Sequence, residues 1–328
     1  MKEERGTMKN PQDTAHIAFV HEQDADASVG PNNNGGDTYG IQNPSIPEQP
    51  LGFSKRPSIS AGRIDRCLSS GRPAFIGYLP FGFPTCADSV KACETLVRHG
   101  ADFVEIGLPY TDPVMDGPVI QTACRIALQK GEHIADVFRA VQAVADAGGV
   151  PLIMGYWNLV FHYGVDRFAS DLANAGGAGM VTPDLVPDEA GDWYEASQRY
   201  GLDRIFLVSP DSSEQRLKCV ARNHRGFVYA TSRMGVTGER DTLDSAPEHL
   251  VKRMHAAGAK RVCVGIGVSN AAQAQQVGSF ADGVIVGSAL VHTLLDDSGS
   301  NALPTGEGLD ALAGKTEELA DAVAHSRI

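Results

Sequence analysis

Residues 103–118 read FVEIGLPYTDPVMDGP and carry three carboxylates, Glu105, Asp112 and Asp116, whose surroundings suit acid–base chemistry. Phe103–Gly107 has the composition of a strand, and period-two alternation puts Phe103, Glu105 and Gly107 on one face. If that face points into a closed sheet, Glu105 is a carboxylate inside a core. That position is unfavourable unless the group is hydrogen-bonded, paired or used. Two readings stand: a Glu capped by neighbouring Ser, Tyr or Arg groups, or a carboxyl lifted into the range of a general acid working near neutral pH. Asp112 and Asp116 fall in a loop braced by Pro109, Pro113, Gly117 and Pro118. Asp116-Gly117-Pro118 also reads as a helix entry, so either aspartate can be a plain turn or N-cap residue. The turn role suits Asp112; for Asp116 both roles stay open.

A second set of residues could hold a phosphate. Ser232-Arg233-Met234-Gly235-Val236-Thr237-Gly238, Gly265-Ile266-Gly267-Val268-Ser269 and Gly287-Ser288 each follow a strand-like run. Glycine lets backbone N–H groups approach an anion, and a helix N-terminus adds a favourable dipole. Each cluster alone is ordinary turn chemistry. Two of them in register after consecutive late strands favour phosphate binding.

These residues need a frame, and the pattern from Ser58 onward supplies one. Strand-like runs at 74–78, 103–107, 150–154, 179–182, 204–208, 226–230, 261–265 and 283–286 alternate with amphipathic stretches such as 89–99, 134–147, 188–200 and 248–257. Alternation of this kind implies βαβ units and a parallel sheet, and eight repeats predict an α/β (β/α)8 TIM barrel. An open doubly wound sheet is the rival. An extra helix near 60–70 is expected to plug the N-terminal end of the barrel, and a last helix is expected at 309–324 after an insertion at 296–306. Residues 1–57, with Asn32-Asn33-Asn34-Gly35-Gly36 and scattered prolines, are expected to form a disordered N-terminal extension. The catalytic domain is then 58–328.

Composition narrows the function. The 328 residues carry a net charge of −12, without the basic footprint of a nucleic-acid binder. No apolar run approaches a membrane span, and no signal or transit pattern is present, so a cytoplasmic enzyme is expected. The 6 cysteines form no C-x-x-C pair. No lysine falls at the C-terminal end of a predicted strand, as a Schiff-base aldolase would need. Metal-ligand clusters, Walker A and Rossmann motifs are also missing from the sequence, so neither metal nor cofactor is expected. Acid–base chemistry by carboxylates and tyrosine on a phosphorylated molecule remains.

In order and spacing, VEIGLPYTDPVMDGPVIQ (104–121), NLVF (158–161), SRMGVTG (232–238), GIGVS (265–269) and VGSALV (286–291) resemble the α-subunit family of tryptophan synthase. The likeness runs from about residue 60 to 328. It implies cofactor-free cleavage of indole-3-glycerol phosphate to indole and glyceraldehyde 3-phosphate. It also implies a heterotetramer with a β subunit, docked around Pro109–Pro118 and Pro183-Asp184. By motif position Glu105 resembles the general acid, Asp116 the acceptor of the indole N–H, and Tyr229 the active-site tyrosine. Gly238, Gly267, Gly287 and Ser288 fall on phosphate-binding positions, Tyr78 and Tyr156 on the indole pocket, and Ser232–Ala246 on a closing loop. Phe83 and Val186 depart from the family pattern, standing where many members have Asp and Pro. Another phosphate-binding barrel enzyme, such as a phosphosugar isomerase or an indole-glycerol-phosphate synthase, and a non-catalytic activator are the competing readings.

Overall fold

The structure, a computed structural model, describes residues 56–112, 115–231, 245–265 and 267–327. The extension expected over 1–57 lies outside these residues except for Arg56 and Pro57. Gly238 and all of the Ser232–Ala246 loop except its last two residues also lie outside them.

Eight parallel strands close into a barrel in sequence order. They are β1 (Ala74–Pro80), β2 (Phe103–Gly107), β3 (Val150–Met154), β4 (Gly179–Thr182), β5 (Asp203–Val208), β6 (Val228–Thr231), β7 (Val262–Gly265) and β8 (Gly283–Val286). The ring is completed by β1 pairing with β8, where Ala74 lies opposite Gly283. Among the described residues twelve α-helices accompany them. The first six are α1 (Ile59–Ser69), α2 (Cys86–Arg98), α3 (Pro118–Gln129), α4 (Val137–Asp146), α5 (Trp157–Tyr163) and α6 (Val165–Asn174). The rest are α7 (Gly191–Tyr200), α8 (Glu214–Asn223), α9 (Ala246–Ala256), α10 (Ala271–Gly278), α11 (Ser288–His292) and α12 (Thr305–Ala324).

The strands are covered on both faces, as parallel sheets must be, which is why they read as continuous apolar runs rather than strict alternations. Ile64 and Cys67 of α1 pack with Ala74, Ile76, Phe103, Leu152, Ile205 and Phe227, so the predicted plug does fill the floor of the barrel. Ser58 caps α1 by accepting from the Ala61 N–H, and Thr85 caps α2 by accepting from the Asp88 N–H. The plug is tied down through Asp203, whose Oδ2 accepts from the Ser60 N–H at 3.0 Å and the Ser58 hydroxyl at 2.9 Å. The chain already meets the barrel at Arg56, whose carbonyl accepts from Arg225 Nη2 at 2.6 Å.

Some boundaries differ from expectation for local reasons. The stretch predicted as a helix over 134–147 is a 3-10 turn, Ile134–Asp136, leading directly into α4; the His133 N–H donates to the Asp136 carboxylate at 3.3 Å across that tight first turn. Pro187–Glu189 likewise forms a 3-10 turn before α7. β6 begins at Val228 rather than Gly226, whose φ of 99° is not strand geometry. The last helix starts at Thr305, so the end of the expected insertion is helical, while Leu295 and Ala302 bridge across the rest.

Candidate active site

β2 delivers Glu105 to the barrel interior. Phe103 and Phe227 meet edge to face across the floor with ring centroids 6.3 Å apart. Glu105 and Tyr229, each two residues further along its strand, therefore occupy the next layer toward the mouth. Glu105 is 0% exposed, and neither carboxylate oxygen has a hydrogen-bond partner among the described residues. Among the described residues no Ser, Tyr or Arg group caps it, which speaks against the capped-Glu reading. Burial alone pushes its pKa up to about 8, so near neutral pH it is largely a protonated acid.

Two tyrosines flank it. Tyr78 of β1 lies opposite Glu105 in the strand register, and Tyr229 of β6 shares its layer. Both rings are accommodated by glycine. A Cβ on Gly107 would fall on the Tyr78 ring, and one on Gly265 would fall on the Tyr229 ring. The hydroxyls of both are raised well above the ordinary value, first by burial and then by neighbouring acidic groups, Asp116 among them. Both tyrosines therefore stay neutral donors.

Asp116 precedes α3, but Gly117 is that helix's N-cap and makes no side-chain capping bond, so the plain capping role for Asp116 is set aside. Its carboxylate is half-buried and makes no hydrogen bond or ion pair among the described residues; burial raises its pKa to about 6. Asp112 by contrast is exposed and accepts from the Thr111 hydroxyl at 2.9 Å. Tyr156, just after β3, accepts at its hydroxyl from the Met115 N–H at 3.1 Å.

At the ends of β7 and β8, Gly267 has φ of 92°, which a side chain would strain, and Gly287 caps α11 with Ser288 as its first residue. A Cβ on Gly287 would meet Tyr78 Cδ1 at 3.3 Å, so this glycine borders the same chamber. Phe83 is buried in the core. Three residues near the site had no signal in sequence spacing. Tyr110 stacks on Tyr156 at 5.0 Å, Gln121 donates to the Asp116 carbonyl at 2.7 Å, and the Cys124 thiol is pushed up to about 12 by burial and then by the charge of Asp116. Cys86, Glu132 and Asp136 bring ligand-type atoms within 4.8 Å of one another and include none of the site residues.

A closed eight-stranded parallel barrel with alternating helices, carrying among the described residues a carboxyl without a partner toward its C-terminal mouth, places the chain in the (β/α)8-barrel class. Comparison with known proteins makes the assignment specific. The family described as "Tryptophan synthase alpha chain" matches residues 64–323, and the chain belongs to that family, an enzyme family of tryptophan biosynthesis. A tryptophan synthase alpha chain from Bifidobacterium longum (strain NCC 2705) is 65% identical over 279 residues, covering 85% of this chain and 96% of that protein. One from Nocardia farcinica (strain IFM 10152) is 52% identical over 252 residues, covering 77% and 91%. Among solved structures, Mycobacterium tuberculosis tryptophan synthase superposes with a TM-score of 0.76 at 48% identity, covering 83% of this chain and 100% of that one.

Proposed function

We propose that this chain cleaves indole-3-glycerol phosphate to indole and glyceraldehyde 3-phosphate, a retro-aldol carbon–carbon lyase reaction needing no cofactor. The observation that carries the reading is Glu105: a carboxyl inside the barrel, without a partner among the described residues, held protonated up to about pH 8.

Retro-aldol cleavage needs an electron sink, and here the substrate supplies it. Glu105 gives its proton to indole C3, turning the ring into an indolenine, while Asp116 accepts the hydrogen bond of the indole N–H and stabilises the positive charge that develops there. The carboxylate left on Glu105 then takes the proton of the glycerol hydroxyl. The C–C bond breaks, its electron pair neutralises the ring, and indole and the aldehyde separate with Glu105 again protonated. Tyr229 is a neutral donor beside Glu105, and Tyr78 and Tyr156 wall the indole. Gly238, Gly267, Gly287 and Ser288 hold the phosphate through backbone N–H groups. Gly238 and most of the closing loop Ser232–Ala246 lie outside the described residues.

The proposed partner is the tryptophan synthase β subunit, in an α2β2 assembly in the cytoplasm. Phe161 of α5, within the NLVF motif, leaves 60% of its area exposed. α5 joins the two loops expected to dock. The Trp157 N–H donates to the Asp184 carboxylate at 3.0 Å, and Asn158 Nδ2 donates to the Tyr110 hydroxyl at 2.9 Å. No helix among the described residues is long and apolar enough to cross a membrane. The domain proposal is an extension over 1–57 and a catalytic barrel over 58–328.

The test is indole release from indole-3-glycerol phosphate by purified chain, alone and with a β subunit. Release that is slow alone, faster with the partner and lost in Glu105→Gln is expected. No indole under either condition rejects the reaction.

A further inference from the structure

The Asp116 carboxylate has no hydrogen bond of its own among the described residues, so its position depends on the backbone that carries it. That backbone is gripped on both sides. Tyr156 Oη accepts from the N–H of Met115 at 3.1 Å, and Gln121 Nε2 donates to the carbonyl of Asp116 itself at 2.7 Å. Tyr156 is in turn held firmly. It is 8% exposed, it is the N-cap residue of α5, its ring lies against Tyr110, and its neighbour Trp157 is anchored to Asp184. Gln121 sits in the first turn of α3, whose start is fixed by Pro118.

We infer that Tyr156, together with Gln121, is a positioning residue that clamps the Met115–Asp116 backbone and so aims the Asp116 carboxylate into the barrel mouth. The inference rests on the catalytic reading of Asp116 above and deepens it, because it makes the Tyr156 hydroxyl part of the acid–base machinery rather than only a wall of the pocket. A misplacement of about 1 Å in such a group can lower turnover by about 100-fold. The titratable groups whose pKa values register the Asp116 charge are Tyr78, Cys124, Tyr156 and Tyr229, all neutral near pH 7, so none of them offers a competing ion pair that would hold the carboxylate instead.

The test uses the full chain with Tyr156→Phe, which removes the hydroxyl and keeps the ring against Tyr110. Solvent exchange of the Met115 amide should accelerate roughly tenfold or more as its acceptor is lost. The Asp116 carboxyl, followed by carbon NMR, should titrate closer to an ordinary carboxylate. The kcat for indole release should fall by roughly tenfold with KM held within about twofold. Gln121→Ala should move the same readouts in the same direction. In an Asp116→Asn background, Tyr156→Phe should produce no further fall in kcat, since the group being aimed is gone. Unchanged Met115 exchange with unchanged Asp116 titration overturns the clamp whether or not the chain releases indole. A raised KM at constant kcat also overturns it, because Tyr156 would then only line the pocket. Faster exchange and a shifted titration in a chain that makes no indole support the clamp and count against the reaction, so the two failures are distinguishable.

Discussion

Asp102 and Glu105 stand three residues apart on one stretch of chain, both buried, and their circumstances are opposite. Asp102, at the floor, is 4% exposed and fully engaged. Its oxygens accept from Arg72 Nη1 at 2.6 Å, Arg72 Nη2 at 2.9 Å and the Phe75 N–H at 3.0 Å. Burial pushes its pKa up, but the Arg72 hydrogen bonds, the Phe75 N–H and the Arg72 charge outweigh that and hold it below the ordinary carboxylate value. Glu105, toward the mouth, has no partner among the described residues and is pushed up to about 8 by burial. The floor uses a charge to fasten the barrel closed. The mouth leaves a carboxyl unsatisfied, and a group in that state is available to a substrate.

The sharpest way to break this contrast is to make both residues amides. Glu105→Gln keeps the shape and replaces a largely protonated acid by another neutral group, so indole release should fall by about 100-fold to 10,000-fold, the scale of a lost general acid. The unfolding midpoint at pH 7 should rise, because the unfolded chain no longer gains by ionising this side chain. Asp102→Asn should do the reverse. It leaves Arg72 without its carboxylate and should lower stability by about 1.5–3 kcal/mol, read by denaturant unfolding, with turnover per folded molecule retained. A large activity loss in Asp102→Asn, or a large stability loss in Glu105→Gln, would dissolve the distinction.

pH separates the two carboxyls further. With Glu105 needed as an acid and Asp116 needed as an acceptor, kcat/KM should form a plateau that falls below about pH 6, where Asp116 protonates, and above about pH 8, where Glu105 ionises. For stability, a folded pKa of about 8 for Glu105 means the folded chain holds a proton that the unfolded chain, with its value near 4.5, has lost. Stability should therefore decline as pH rises between those values, and Glu105→Gln should flatten that slope in melting curves. Asp102 has the opposite sign. Its depressed pKa contributes stability that is complete above the ordinary aspartate range and is lost as acid protonates the folded carboxylate. The smallest effect is expected from Gly265→Ala, whose Cβ would press on Tyr229; overpacking of about 1–3 kcal/mol and a several-fold drop in turnover should appear together.

Much of the frame was legible along the chain. The strands at 103–107, 150–154, 179–182 and 283–286 match residue for residue, because a strand buried on both faces forces a short β-branched or apolar run bounded by turns. Where the boundaries moved, local geometry overrode periodicity: the first turn of the expected helix tightened to a 3-10 turn under the His133–Asp136 hydrogen bond, and positive φ at Gly226 delayed β6. Parity placed Glu105 and Tyr229 inside the barrel, since alternation in a strand follows from its pleat.

The sequence alone determined the eight-fold alternation, the inward face of β2 and the motif order that resembles the family, because these depend on short-range geometry and residue type. It left open whether Glu105 was capped and whether Asp116 was a helix cap. It contained no sign that Tyr156 and Gln121 grip the loop before α3. Those were decided by groups brought together from β1, β2, β3 and β6. The protonation state of a carboxyl depends on how much water and how many donors its folded surroundings leave it, and spacing along the chain does not encode that.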